Sequence, residues 1–134
     1  MPTAKARRHR RRTRRATAQV VDLSSVRAER RREQAEERVR DAMEENRAAL
    51  SRLFSSGLIF TQKGSRAGRD LLLAHQALLR TADLFARLEE PRARDDAALK
   101  HRAEEVFAHL DAQLARTTQL TARTGEFLSG RGRD

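Results

Sequence analysis

The chain has no cysteine, no tryptophan and no tyrosine, and only two prolines in 134 residues. Without cysteine there can be no disulfide and no thiolate metal site, a composition that fits a reducing cytoplasm. With Phe as the sole aromatic, any core must be thin and built from Leu and Ala. No stretch approaches the ~20 consecutive apolar residues that a membrane-spanning helix needs. The basic start, RRHRRRTRRATAQVVDL, never sustains the apolar run of a secretory signal. It shares an Arg-rich, acid-poor composition with organelle transit peptides but lacks their apolar face.

Acidic residues are also missing from the first 21 positions, and this is the most informative gap. Residues 1–23 carry eight Lys or Arg against one acid, Asp22, so that +7 of the net charge of +10 sits there. The remaining 111 residues hold 21 basic and 18 acidic groups and are nearly balanced. Arg outnumbers Lys 26 to 3, which a GC-rich genome would produce in any protein. Such a bias does not account for seven arginines between positions 7 and 15.

Residues 1–23 read as a disordered basic tail, because self-repelling charge and few large apolar residues leave nothing to offset ordering entropy. Residues 24–124 read as a helical bundle with helices over about 25–54, 66–90 and 95–124, and residues 125–134 as a loose end. The first half of helix 1 is held by charge pairs rather than an apolar stripe: Arg32–Glu36, Glu36–Arg40 and Arg40–Glu44 at i,i+4. It should project beyond the bundle. The apolar stripe then runs Ala35, Val39, Met43, Leu50, Leu53, Phe54. Asn46 falls inside it and is expected at the rim, half in water; at a coiled-coil seam a lone Asn would instead fix register.

Helix 2 is apolar over most of its circumference, with Arg69, Gln76, Arg80, Asp83 and Arg87 confined to one arc, so it needs neighbours on two sides. Pro91 stops it. Asp95 or Asp96 can cap helix 3, and Gly125 should end it. Lengths of roughly 45, 36 and 45 Å follow from the helical rise. The fold class is therefore all-α: a small antiparallel three-helix bundle, which a homodimer would enlarge by burying more of helix 2.

Between helices 1 and 2 lies FSSGLIFTQKGSRAGRD, with three of the six glycines and the cations Lys63, Arg66 and Arg69. Glycines, cations and a helix start could bind an anion. However, Lys63 precedes the glycines and no Gly-Lys-Ser/Thr follows, so this is not a P-loop. The simpler reading is a connector of ~10 residues, with Gly57 ending helix 1 and Leu58, Ile59 and Phe60 tucked over the bundle's end. If exposed, that triplet would be a partner-docking knob.

His75 stands alone on the apolar side of helix 2; it could be a phosphoacceptor or a ligand, but with no second ligand or carboxylate on its face it is expected to be a satisfied core or boundary residue. His101, Glu105 and His109 span ~12 Å of helix surface, too far for one metal ion. No nucleophile–base arrangement or metal-ligand cluster is evident, so no enzyme activity and no cofactor are expected.

The basic run points to a polyanion. Arg7, Arg8, Arg10, Arg11, Arg12, Arg14 and Arg15 can fork hydrogen bonds to phosphates, and with no aromatic among them, base stacking is not expected. The expected function is non-specific, salt-dependent nucleic-acid binding in the cytoplasm, nucleoid-associated if the nucleic acid is DNA. A membrane surface ranks lower, because no apolar anchor adjoins the charges. Thr13 and Thr17 follow basic triplets and could be phosphorylated, which would weaken such binding. The alternative is a helical adaptor that binds a protein through the 57–69 loop or the charged face of helix 1. A regulator binding a small phosphorylated ligand at Lys63–Arg69 is a third reading.

Overall fold

The computed structural model describes the backbone over residues 4–130 and the side chains over residues 23–130. It contains three α-helices and, among the described residues, no strand: α1 (Ala4–Ser55), α2 (Gln62–Leu88) and α3 (Ala97–Ser129). The chain forms two units, Met1–Gln34 and Ala35–Asp134. In the first, the described side chains from Leu23 onward are exposed, apart from a half-buried Arg32. α1 begins at Ala4 rather than near Ser25. No proline or glycine interrupts it, and it is rich in Ala, Arg and Glu, all good helix formers.

The second unit is a three-helix bundle, and its periodicity explains its packing. Among the described side chains, the buried positions of α1 are Ala35, Val39, Ala42, Asn46, Ala49 and Leu53. Their alternating spacings of four and three are those of a coiled-coil seam. α3 repeats the pattern through Leu99, Ala103, Val106, Leu110, Gln113, Thr117, Leu120, Thr124 and Phe127, all buried or half-buried. One cluster joins Ala35, Val39 and Ala42 to Leu78, Phe85, Leu110 and Leu114. There the rings of Phe85 and Phe107 meet at 5.4 Å between centroids, a tilted contact. A second cluster joins Ala49 and Leu53 to Leu71, with Ile59, Leu120 and Phe127 packed against it.

Asn46 separates the two clusters, and its position corrects the expectation of a rim residue. It is 0% exposed. Its Nδ2 donates to the Leu71 carbonyl at 3.0 Å, while Oδ1 has no hydrogen-bond partner. The apolar stripe through Met43 and Leu50 is too short to mark a heptad seam. The true seam passes through Ala42 and Ala49, whose small side chains give little apolar signal.

The other polar seam residues satisfy themselves locally. Thr117 and Thr124 donate to the carbonyls of Gln113 and Leu120, four residues back, at 3.1 and 2.8 Å. The Thr81 hydroxyl lies 3.2 Å from both the Ala77 carbonyl and Gln113 Oε1. Across the surface, Arg38 on α1 meets Asp111 on α3 at 2.8 Å, an exposed pair that adds little stability. Glu44 meets Arg47 at 3.8 Å.

The helix ends are set by local chemistry. α2 ends at Leu88, and a 3₁₀ turn over Pro91–Asp95 leads to Asp96, whose side chain accepts from the Leu99 N–H at 3.0 Å. α3 passes through Gly125 to Ser129, past the expected stop. Continuing the helix lets Phe127 and Leu128 pack on the second cluster, which outweighs the weak propensity of one glycine.

These contacts predict opposite responses to three substitutions. Asn46→Leu removes an unmatched buried acceptor and is expected to raise stability by about 1–2 kcal/mol, read as a higher urea midpoint. Gly125→Ala, where an added Cβ meets nothing, should stabilise by about 0.5–1 kcal/mol. Gly64→Ala should lower the melting temperature despite the gain in helix propensity, because its Cβ would collide with the Leu58 carbonyl.

Candidate functional site

The connector between α1 and α2 is shorter and more ordered than expected. Gly57 takes a left-handed conformation (φ 75°) just after α1, and Leu58–Phe60 form a 3₁₀ turn. Thr61 then caps α2: its hydroxyl accepts from the Gly64 N–H at 3.0 Å, and its carbonyl accepts from the Ser65 N–H at 2.8 Å. α2 therefore starts at Gln62, ahead of the expected start at position 66, because Thr61 supplies the cap.

Gly64 and Gly68 lie inside this helix and are buried. Both serve a close approach rather than a turn. A Cβ at Gly64 would strike the Leu58 carbonyl, and one at Gly68 would strike Ile59 Cδ1. The glycine-rich appearance of the stretch thus reflects the 3₁₀ turn lying directly on the first turns of α2.

The apolar triplet divides. Leu58 and Ile59 are half-buried against the second cluster, as expected for a capping segment. Phe60 is not tucked in: it is 87% exposed. Its neighbours hold the turn down on both sides, so the ring is presented from a fixed base.

Lys63, Arg66 and Arg69 are all exposed. Their three-residue steps spread them over about a third of the helix circumference, so they do not converge on one point. Thr61 already occupies the Gly64 N–H that an anion would use.

The arginines expected to contact phosphate (Arg7, Arg8, Arg10, Arg11, Arg12, Arg14 and Arg15), together with Thr13 and Thr17, lie outside the residues whose side chains are described.

Two open grooves flank α2. One, about 380 Å³, lies between α2 and α3 and is lined by Leu73, Ala77, Leu120, Asp70, His109 and Arg116 among others. The other, about 410 Å³, lies between α1 and α2 and is lined by Val39, Met43, Ala82, Ala86, Arg40 and Glu89 among others. Sequence reasoning gave no hint of either groove. The first has alanines on both helices, Ala74 and Ala77 facing Ala112, whereas in the second only α2 contributes them, Ala82 and Ala86.

His75 is half-buried, and its Nδ1 is buried without a hydrogen-bond partner, so the expected satisfied histidine is not what the bundle holds. His101, Glu105 and His109 are exposed, with His101 Nε2 and Glu105 Oε1 3.1 Å apart. Among the described residues, no group of three or more His, Asp or Glu could hold a metal ion. Among them too, no helix is long and apolar enough to cross a membrane.

The divided triplet makes a direct prediction. Phe60→Asp should leave the thermal midpoint within about 1 °C of the parent, whereas Ile59→Asp should lower it by more than about 5 °C by placing a charge against Leu53 and Leu71. Circular-dichroism melts of the two variants check this.

No protein-family model, no curated protein and no solved structure matches the chain.

Proposed function

We propose that this protein is a non-enzymatic nucleic-acid-binding protein that engages phosphates through its N-terminal arginines, with the helical bundle as their carrier. The observation that supports it is the run Arg7, Arg8, Arg10, Arg11, Arg12, Arg14 and Arg15, with no acid in the first 21 residues. Each guanidinium offers five donors in a planar fork that suits phosphate. A net +7 over 23 residues, against near balance elsewhere, concentrates the attraction in one segment. Without aromatic residues among these arginines, contact is with the backbone of the nucleic acid, and binding is sequence-tolerant. Association with the nucleoid follows if the polyanion is DNA.

A second reading has its own support. Phe60, 87% exposed on an anchored turn, suits insertion into an apolar pocket of a partner protein. The two readings use different parts of the chain and can be separated.

Fluorescence anisotropy with an arbitrary labelled duplex over a salt series tests the first. With all eight basic groups engaged, log K against log salt should fall with a slope of about −7. Changing the seven arginines to Gln in the full chain should reduce that slope to about −1. Equal, shallow slopes for both proteins would refute nucleic-acid binding through this segment. Retained biological function in the Gln variant, with loss in Phe60→Asp, would establish the adaptor reading in its place.

A further inference from the structure

α2 carries more apolar surface than its two neighbours cover. Its inner seam runs Gly64, Gly68, Leu71, His75, Leu78, Ala82 and Phe85 and faces the bundle. A second seam runs Gly68, Leu72, His75, Leu79, Ala82 and Ala86, again with alternating spacings of four and three. Its large members are exposed, Leu72 at 51% and Leu79 at 46%. A helix with two such seams is built to pack on two sides, and the second spacing is that of a partner helix rather than a flat surface.

We propose that a second copy of this chain covers this seam, with the two α2 helices antiparallel across a two-fold axis at Gln76. The observation that selects a second copy is self-complementarity, which a two-fold interface requires. Leu72 lies four residues before Gln76 and Leu79 three after it. Arg69 lies seven before and Asp83 seven after. Turning one copy end for end about Gln76 therefore sets each Leu72 beside the other copy's Leu79, and each Arg69 beside the other copy's Asp83. Arg69, Gln76 and Asp83 are one heptad apart and lie in a row along the rim of the seam. Asp83 already meets Arg87 at 3.2 Å, and a carboxylate has lone pairs for a second guanidinium.

α1 completes the surface. α1 runs antiparallel to α2, with Val39 clustered with Phe85 and Leu53 with Leu71, so Phe54, exposed on the last turn of α1, stands beside the first turns of α2. The same two-fold rotation carries that end to the far end of the partner helix. There the groove lined by Met43, Ala82 and Ala86 is open, and no α3 residue lines it. Phe54 of each copy thus fills the other's groove. The rim of this face mixes Arg40, Arg47, Glu44 and Asp83, which suits a copy of itself and not a polyanion. The proposal does not depend on nucleic-acid binding.

The chain has no cysteine, so one introduced thiol reports on one position. Gln76→Cys in the full chain, treated with a short bis-maleimide, should give a covalent dimer on a gel, while Glu104→Cys, exposed on α3, should not. Sedimentation equilibrium should show dimer for the native chain. Leu72→Glu with Leu79→Glu should raise the dissociation constant about a hundredfold or more while helical circular dichroism is kept. Asp83→Arg should weaken the dimer, and adding Arg69→Asp to it should restore association; this arm holds even if the double glutamate variant misfolds. A native chain that stays monomeric at every concentration, a dimer indifferent to both sets of changes, or equal cross-linking at Gln76→Cys and Glu104→Cys would each overturn the proposal.

Discussion

One hydrogen bond, from the Asn46 side chain to the Leu71 carbonyl, sets the register of the bundle. Sliding α1 along α2 by a turn would keep apolar groups against apolar groups almost everywhere. It would also take from the fully buried Asn46 amide the one hydrogen bond it makes, a cost of about 1–3 kcal/mol. The two apolar clusters lie on either side of this residue, and their membership follows from the alignment it imposes. The unmatched Oδ1 is the cost of that specificity.

From this register follows the connector. With Leu53 facing Leu71, α1 must turn within a few residues, and Gly57 provides the left-handed residue that ends it. The 3₁₀ turn then folds back onto α2 so closely that position 64 admits no side chain, and one at position 68 would have to displace Ile59 Cδ1. Leu58 and Ile59 are drawn into the core, and Phe60, next in a three-residue turn, faces outward. One packing constraint thus yields both a well-anchored base and an exposed ring.

The two surfaces of functional interest differ in kind. In the proposed function the N-terminal arginines would act through charge, which needs no fixed geometry to meet a phosphate chain. The faces of α2 act through shape, and need the helix held in place. An assembly of two chains would present two arginine-rich segments at once, so weak phosphate contacts would reinforce each other at the effective concentration of a linked pair.

Much of this was legible in the sequence. Helical periodicity, Pro91 and a cap at Asp95 or Asp96 announced three helices, because each acts through neighbours one or two turns away; the structure assigns the cap to Asp96. The helical connector glycine, Gly57, was readable for the same reason. The charge asymmetry was a property of composition and required no fold. Other features depended on tertiary contact. Asn46 looked like a rim residue because the alanines that define its seam carry almost no hydrophobic signal until a facing helix closes over them. Gly64 and Gly68 resembled a phosphate loop until the 3₁₀ turn above them showed that a Cβ is excluded at 64 by the Leu58 carbonyl and crowded at 68 by Ile59. Leu58, Ile59 and Phe60 are alike in sequence; only the placement of the turn against Leu53 and Leu71 half-buries two and exposes one. Local chemistry determined that there are three helices and where α2 ends and α3 begins, because caps, breakers and periodicity act within a few residues, whereas the extension of α3 past Gly125 took packing. Tertiary packing decided which apolar side chains remain outside, because that depends on how many neighbours a helix has, not on the helix itself.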